Sequence, residues 1–273
     1  WPFKQHKTSR NQILLPYHNE LKKLGACFGS SGGFERPMWY ALKGEKADYK
    51  YSFGYQNWYP SAEYETKNTR ENVGLFELSP FSKFDLEGQN VHEELQKICT
   101  ANIKDIEGRA TYTQMLNEDG GIETDVTITC LKKNHFRVIG PAATREHDKF
   151  YIKKHISQEV NLKDVTEDLT CLGLYGPNSR KLLSNISNDD FSNEGIKFSH
   201  GKLVTIDGIS VWAQRLSYVG EIGFELYANI EESKKLFLAI VKEGKNHGLS
   251  LCGAHAMDIM RMESGFLHWG HDI

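Results

Sequence analysis

The chain has 273 residues, 39% of them hydrophobic and 25% charged, and its formal net charge at pH 7 is −3. A chain of this length and composition can form two domains that each bury a core. The balanced charge, without any Lys/Arg-rich run, argues against a nucleic-acid-binding surface. No apolar run approaches the roughly 20 residues of a membrane span. We therefore expect neither a nucleic-acid nor a membrane partner.

The first residues and the cysteines indicate the compartment. The sequence begins Trp1-Pro2-Phe3-Lys4, with no initiator Met and no charged and then apolar signal region, so we expect it to begin partway through a longer polypeptide. The five cysteines are isolated, without a Cys-x-x-Cys pair. This pattern predicts reduced thiols rather than disulfides or a zinc site. A cytoplasmic location is favoured, and a mitochondrial matrix also fits.

The first 60 residues carry few periodic signals. Pro16, at the start of an apolar run, predicts a short helix over 16–24. The glycines of 29–33 predict a loop. The aromatic-rich stretch 34–59 is typical of extended chain that buries its rings without forming a regular element. We therefore expect residues 1–60 to form an extended N-terminal segment.

From residue 61 onward the pattern is α+β. The first half predicts strands and helices at 63–73 (helix), 76–86 (strands), 91–99 (helix), 111–131 (hairpin), 136–139 (strand) and 143–156 (helix). The second half predicts 169–175 (strand), 176–186 (helix), 203–206 with 209–215 (hairpin), 225–228 (strand), 233–247 (helix) and 257–264 (helix). The order strand, helix, strand, strand, helix thus occurs twice. It predicts two ferredoxin-like α+β units, assigned to 61–165 and 166–273.

The hairpin of 111–131 contains the first candidate for chemistry. Its two alternating runs flank the turn Asn117-Glu118-Asp119-Gly120-Gly121. Asp125 is a lone carboxylate inside the second strand, among β-branched neighbours. A carboxylate there is unfavourable if it is buried and unpaired. Asp125 therefore faces either solvent or a pocket in which its charge is used, and the pattern alone leaves both open.

Two further segments combine glycine with ionisable side chains. In Tyr218-Val219-Gly220-Glu221-Ile222-Gly223-Phe224-Glu225 the glycines permit close approach to a flat ligand, and a carboxylate can accept two adjacent N–H groups. Later, Asp258 and Arg261 are spaced i, i+3 on a predicted helix and can pair. His268 and His271 have no third metal ligand nearby, so we assign no metal site. The sequence also lacks Gly-x-Gly-x-x-Gly, Gly-x-Ser-x-Gly and P-loop motifs.

These segments together resemble the folate-binding aminomethyltransferase family, whose best-known member is the T-protein of the glycine cleavage system. Residues 117–125 match its Asn-x-x-Gly-Gly-[Ile/Val]-x-x-Asp motif, 218–225 its Tyr-Thr-Gly-Glu-x-Gly-x-Glu motif, and 256–263 with 269–273 its later block. The resemblance implies the folate-binding fold of two α+β units, with tetrahydrofolate as cofactor. It also implies a C-terminal β-barrel domain, which we expect to lie beyond residue 273.

Finer features resemble one branch of that family. Segments 33–40, 81–84 and 215–221 are similar to the C-terminal half of dimethylglycine and sarcosine dehydrogenases, in which an FAD-dependent amine oxidase domain precedes the folate domain. Met257, where the T-protein has Arg, favours the same branch and leaves the folate contact of that Arg open. The resemblance implies that a small N-methylated amine is oxidised with FAD outside this segment, and that its one-carbon unit passes to tetrahydrofolate here.

The resemblance also implies roles for individual residues. Asp125 corresponds to the catalytic carboxylate, Glu225 to the carboxylate that binds the pterin N–H edge, and Tyr218 to a ring that contacts the pterin. Tyr112, Glu221 and Arg261 are further cofactor-binding candidates, with Glu221 and Arg261 expected to act chiefly as support.

Two other functions stay open. One is a stand-alone tetrahydrofolate-dependent demethylase or aminomethyltransferase, and the other is a folate-binding module without chemistry. The sequence does not define the amine donor or the oligomeric state.

Overall fold

The computed structural model describes residues 4–273, which form seven α-helices and 13 β-strands. The helices are α1 His18–Lys23, α2 Tyr59–Glu71, α3 Val91–Ile98, α4 Arg145–His155, α5 Ser179–Ile186, α6 Ile230–Gly244 and α7 Ala254–Glu263. The strands are β1 Ala26–Ser31, β2 Phe34–Tyr40, β3 Val73–Glu77, β4 Ser82–Glu87, β5 Ala110–Leu116, β6 Ile122–Lys132, β7 His135–Gly140, β8 Asn161–Asp164, β9 Leu169–Tyr175, β10 Gly201–Ile206, β11 Ile209–Gln214, β12 Gly223–Asn229 and β13 Leu249–Cys252. None of the described helices combines the length and apolarity needed to cross a bilayer.

Two large sheets are built from the same succession of elements. The five-stranded sheet has the spatial order β5-β6-β7-β4-β8, and the six-stranded sheet has the order β10-β11-β12-β9-β3-β13. In each, the chain runs strand, helix, three strands, helix, strand: β4 to β8 with α3 and α4, then β9 to β13 with α5 and α6. The two predicted ferredoxin-like units are confirmed, and each ends in a strand, β8 or β13, that the predicted elements do not include.

Strand β3 departs from the predicted order. It precedes the first unit in sequence, yet it lies between β9 and β13, antiparallel to β9 and parallel to β13. All five of its residues are buried, as expected of a central strand. The strands predicted over 76–86 are thus β3 and β4, and only β4 belongs to the first unit. The boundaries 1–60, 61–165 and 166–273 stay predictions.

The N-terminal segment is more regular than its sequence indicates. The predicted helix over 16–24 is confirmed by α1, but β1 and β2 pair as an antiparallel hairpin. The prediction of irregular chain over 34–40 is therefore wrong, and the predicted loop over 29–33 is reduced to a turn at 32–33. Gly32 and Gly33 have positive φ angles and form this turn. The sequence of β2 shows no clear alternation because most of its residues are buried, in contact with β1, β13, α2 and α7.

Helices α3 and α4 pack on one face of the five-stranded sheet, and α5 and α6 pack on one face of the six-stranded sheet. Val126 of β6 packs with Leu95 of α3, and Phe224 of β12 packs with Leu236 of α6. We call the opposite face of each sheet its inner face; helix α7 packs on the inner face of the six-stranded sheet. Since successive side chains of a strand point to opposite faces, Asp125 and Glu225 lie on the inner faces.

A third apolar cluster lies between the inner faces and is called here the inter-sheet cluster. It draws residues from the six-stranded sheet, from helix α7 and, through Ile139 of β7, from the five-stranded sheet. Its buried members are Phe76, Leu78, Cys171, Tyr175, Val219, Tyr227, Cys252, Ala256, Met257 and Met260, with Phe81, Ile139, Trp212 and Tyr218 packed against them. The two units are thereby joined by an aromatic-rich region next to both predicted acidic residues.

Candidate functional site

Asp125 is oriented by a tyrosine on the neighbouring strand. The Tyr112 hydroxyl donates a hydrogen bond of 2.8 Å to Asp125 Oδ2, reaching diagonally because Gln114 stands directly opposite Asp125. Burial and the adjacent carboxylate raise the pKa of Tyr112 to about 12, so the phenol keeps its proton at neutral pH. The half-buried Asp125 carboxylate is thus held by a neutral donor at the inner face.

The turn of this hairpin follows from its sequence. The Asn117 side-chain oxygen accepts hydrogen bonds from the backbone N–H groups of Asp119 and Gly121, at 3.1 and 2.8 Å. Gly120 adopts a φ of +82°, which a side chain would disfavour. The turn fixes the register of β5 and β6, and that register brings Tyr112 within reach of Asp125.

Glu225 occupies a more enclosed position on the central strand β12. Its Oε2 accepts a hydrogen bond of 2.5 Å from the Tyr227 hydroxyl. Burial, and then the Glu225 charge, raise the pKa of Tyr175, whose hydroxyl has no hydrogen-bond partner within residues 4–273. Burial raises the pKa of Glu225 itself, and the hydrogen bond from Tyr227 partly opposes that change. Gly173, paired with Glu225, leaves room for the Tyr175 ring, since a Cβ there would come within 2.5 Å of it.

Tyr218 brings the two acidic sites into one region. Its ring stacks against Phe266 at a centroid distance of 6.0 Å, and its hydroxyl donates to the Leu267 carbonyl at 3.3 Å. Burial raises the pKa of Tyr218, and Asp125 is among the carboxylates that raise it further. Because Tyr218 also packs on the inter-sheet cluster, it lies between the surroundings of Asp125 and those of Glu225.

Glu221 and Arg261 are engaged in ion pairs within the protein. Glu221 binds Arg70 Nη1 at 2.8 Å. Arg261, only 4% exposed, binds Asp258 at 2.8 Å, which confirms the predicted i, i+3 pair. Arg261 also pairs with Asp272 and donates to the Phe266 carbonyl. These bonds fix the segment 266–272 beside Tyr218, so support is the function that their geometry favours; the assignment of these residues to cofactor binding stays a prediction.

The other ionisable groups have structural surroundings. All five cysteines are free and buried, as the sequence predicts. The rings of His268 and His271 stack at 4.0 Å, and within residues 4–273 no group of three or more His, Cys, Asp or Glu side chains has the arrangement of a metal site.

Sequence reasoning missed several residues that line the site. Tyr227 is two positions after Glu225 on the same strand face, so the period-2 rule was a sufficient signal. Tyr175, Trp212 and Phe81 come from distant parts of the chain, and no local pattern relates them to Glu225.

Two ferredoxin-like units whose inner faces enclose a carboxylate-containing aromatic region form the α+β fold of aminomethyltransferases. The family described as the GCVT N-terminal domain matches residues 17–273, and the chain belongs to this family. The crystal structure of the glycine cleavage system aminomethyltransferase T from Bartonella henselae shows the same fold. It has a TM-score of 0.79 at 24% identity and covers 96% of this chain and 65% of its own.

Curated relatives come from both branches of the resemblance. The chain is 41% identical over its whole length to a 4-methylaminobutanoate oxidase (formaldehyde-forming) of Paenarthrobacter nicotinovorans, of which it covers 33%. It is 31% identical to the mitochondrial dimethylglycine dehydrogenase of Rattus norvegicus, covering 90% of this chain and 29% of that protein. An aminomethyltransferase of Halothermothrix orenii is 32% identical over 79% of this chain and 60% of its own length. The chain thus spans about a third of the length of the first two relatives.

Proposed function

We propose that this chain binds tetrahydrofolate between its inner faces and transfers to it the one-carbon unit released when an N-methylated amino acid is oxidised. The observation that carries the proposal is the placement of Asp125 and Glu225 on facing sheets around one aromatic cluster. In this proposal the chain is the folate-binding portion of an enzyme similar to dimethylglycine and sarcosine dehydrogenases.

The residues between the sheets fit a flat heterocycle rich in N–H groups. Trp212 and Tyr218 are partly buried and provide aromatic surfaces, against which a planar ring can pack. Glu225 provides two carboxylate oxygens in a partly buried place, where a charge-assisted hydrogen bond is stronger than in water. The chain therefore supplies both the surfaces and the acceptor that a pterin requires.

Asp125 is the residue that we place next to the reacting atoms. When bound, tetrahydrofolate supplies the nitrogen nucleophiles that take up the one-carbon unit. Asp125 can accept a proton from an amine at the inner face, and the hydrogen bond from Tyr112 holds its carboxylate in one orientation. Tyr112 itself stays protonated, because its pKa is about 12.

The substrate that donates the one-carbon unit is assigned from the curated relatives. Those from Paenarthrobacter nicotinovorans and Rattus norvegicus are named for oxidation of an N-methylated amino acid. We propose the same substrate class here, with FAD bound outside residues 1–273. The relationship to the aminomethyltransferase of Halothermothrix orenii supports the alternative of a stand-alone enzyme, which would give the same folate site but a different donor.

Calorimetric titration of this chain with tetrahydrofolate tests the proposal. We expect saturable 1:1 binding to the wild type and at least a tenfold loss of affinity in Glu225→Ala, because a charge-assisted hydrogen bond contributes about 1.5–3 kcal/mol. Glu146→Ala is the matched control, since that carboxylate pairs with Lys149 on α4, outside the inter-sheet cluster. Absence of binding to a folded wild type, or equal affinity of wild type and Glu225→Ala, would contradict the assignment.

A further inference from the structure

His268 is an ionisable side chain close to Asp125 that has no role in the proposed function. It belongs to the segment 266–272, which Tyr218 holds at the site by donating from its hydroxyl to the Leu267 carbonyl at 3.3 Å. Burial lowers the pKa of His268, and Asp125 is among the carboxylates that oppose this change. The half-buried imidazole therefore lies within the electrostatic reach of the Asp125 carboxylate.

The backbone of His268 is fixed, whereas its ring has no bonded partner. Its backbone N–H donates to Asp272 Oδ2 at 2.7 Å, and Asp272 pairs with the buried Arg261. Within residues 4–273 the two ring nitrogens of His268 make no hydrogen bond. Several other histidine rings bond an oxygen of the protein, namely those of His92, His147, His155 and His247. The His268 ring can therefore accept a proton without breaking a contact of the protein.

The ring of His268 leads outward to His271. The two rings stack at a centroid distance of 4.0 Å with an interplanar angle of 9°, and His271 is exposed. Burial lowers the pKa of His268, His271 and Arg261 lower it further, and Asp258 and Asp125 raise it. His268 is therefore neutral at pH 7 and able to take up a proton. Because the neighbouring cations disfavour the charged ring, it also releases that proton readily.

We propose that His268 receives from Asp125 the proton that this carboxylate takes from the ligand, and that it passes the proton to solvent. This role rests on the proposed function. When a carbon becomes bonded to two folate nitrogens, each nitrogen loses one proton, so Asp125 must release the first before it can take the second. With an iminium donor, one proton leaves on the released amine, which keeps the electron pairs of the broken C=N bond, and the other goes to solvent.

The location of His268 suits this role. An amine of the ligand that lies against Asp125 covers part of the carboxylate that solvent would otherwise reach. The half-buried His268 and the exposed His271 then provide a route from Asp125 to the surface. His268 acts through Asp125 and needs no contact with the reacting atoms. Its removal should therefore change the rate of transfer and its pH dependence, and it should leave the affinity for tetrahydrofolate unchanged.

The first test measures the coupling of His268 to Asp125 without any ligand. NMR titration of the histidine rings of the full chain gives the pKa of His268, whose signals are identified by their absence from His268→Gln. We expect Asp125→Asn to lower this pKa, because a nearby negative charge is removed. Asp119→Asn, in the exposed turn of the same hairpin, is the control and should leave it unchanged. An unchanged His268 pKa in Asp125→Asn would overturn the inference.

The second test measures one-carbon transfer at saturating tetrahydrofolate between pH 5.5 and pH 8, with an N-methylamine oxidase supplying the one-carbon unit. We expect His268→Gln to slow transfer at least about tenfold at pH 7, with affinity unchanged and with part of the rate restored by added imidazole. The wild-type rate should fall as the pH falls through the His268 pKa, and the variant should lack this component.

His155→Gln is the matched control for the rate. His155 is exposed on α4, where its ring bonds the Tyr151 carbonyl, so its loss should change neither rate nor affinity. An unchanged rate in His268→Gln would overturn the inference and leave the proposed function intact. A slower rate with a lowered Tm and no response to imidazole would show that His268 is structural, and would also overturn the inference. A folded wild type that binds no tetrahydrofolate would instead overturn the proposed function.

Discussion

Asp125 and Glu225 are two carboxylates on facing sheets, and their surroundings differ. Asp125 lies one strand from a sheet edge, and its partner Tyr112 is 60% exposed. Glu225 lies between β11 and β9 in the middle of the six-stranded sheet, beside Tyr227 and Tyr175, which are 7% and 1% exposed. Both carboxylates are themselves partly buried, so they differ in the groups that surround them.

The different surroundings of Asp125 and Glu225 suit them to different functions. A carboxylate enclosed by buried tyrosines makes strong hydrogen bonds, but its charge is destabilised by its surroundings, as the raised pKa of Glu225 shows. Such a group is suited to holding a ligand that compensates its charge. Asp125 instead lies beside a largely exposed tyrosine, where an amine of a ligand and solvent can both reach the carboxylate. We therefore assign ligand binding to Glu225 and proton transfer to Asp125.

The largest effect is expected for Asp125→Asn. This variant keeps the shape and the hydrogen bond from Tyr112 but removes the proton acceptor. We expect the rate of one-carbon transfer to tetrahydrofolate to fall about 10²- to 10⁴-fold, while the affinity for tetrahydrofolate changes less than about threefold, the size of a weak contact. The rate is measured as 5,10-methylenetetrahydrofolate formation above a protein-free blank, with a separate N-methylamine oxidase supplying the one-carbon unit.

Asp119→Asn is the control for this variant. Asp119 lies in the exposed turn of the same hairpin, where its side chain makes no hydrogen bond within the described residues. It should leave rate and affinity unchanged. An unchanged transfer rate in Asp125→Asn would remove the catalytic role and would favour a folate-binding module without chemistry.

The second effect is the pH dependence of binding. The pKa of Glu225 lies above its usual range because of burial, and only its ionised form accepts two N–H bonds. The affinity for tetrahydrofolate should therefore be constant above that pKa and fall by up to about tenfold per pH unit below it. Calorimetry between pH 5 and pH 8 measures the profile. In Glu225→Gln the affinity should be low, and it should no longer fall with pH through titration of this residue. An identical pH dependence in wild type and variant would assign the titration to another group.

The raised pKa of Glu225 also predicts that Glu225→Gln is more stable than the wild type at neutral pH. A raised pKa in the folded state means that folding favours the protonated carboxyl, so the contribution of Glu225 to stability is present below its unfolded pKa and is lost as the pH rises through the folded pKa. Glu225→Gln should therefore have a higher Tm than the wild type at pH 7 to 8, and the difference should narrow toward pH 4. A lower Tm at neutral pH would show that the charge is stabilised by protein groups.

The repeated pattern of elements was visible in the sequence because most of its strands and helices have clear periods. Residues 111–131 and 203–215 contain turn residues between alternating runs, and both hairpins are confirmed. The closing strands β8 and β13 have four residues each, too few for a period to be recognised. The position of β3 in the second sheet depends on long-range pairing with β9, for which a local pattern holds no information.

The candidate site was predictable to a similar degree. The motifs identify Asp125, Tyr218 and Glu225 because each has an unusual local context, a charge in a strand or a glycine-flanked loop. The surroundings that give them different properties, such as Tyr175 beside Glu225 and Tyr112 beside Asp125, come from separate strands. Those contacts require the fold itself, since burial and pairing depend on which faces meet.

The smallest effects are expected when the two tyrosine hydroxyls are removed one at a time. Tyr112→Phe leaves the Asp125 carboxylate without its orienting donor, so transfer should slow about 3- to 10-fold with affinity unchanged, the range for one hydrogen bond of about 0.5–1.5 kcal/mol. Tyr227→Phe removes the donor that lowers the pKa of Glu225. The pH at which affinity declines should then move upward, with little change in the transfer rate at saturating tetrahydrofolate. Measuring both rate and affinity in both variants gives a two-by-two comparison. If Tyr112→Phe changed affinity and Tyr227→Phe changed rate, the division of tasks between the two carboxylates would be reversed.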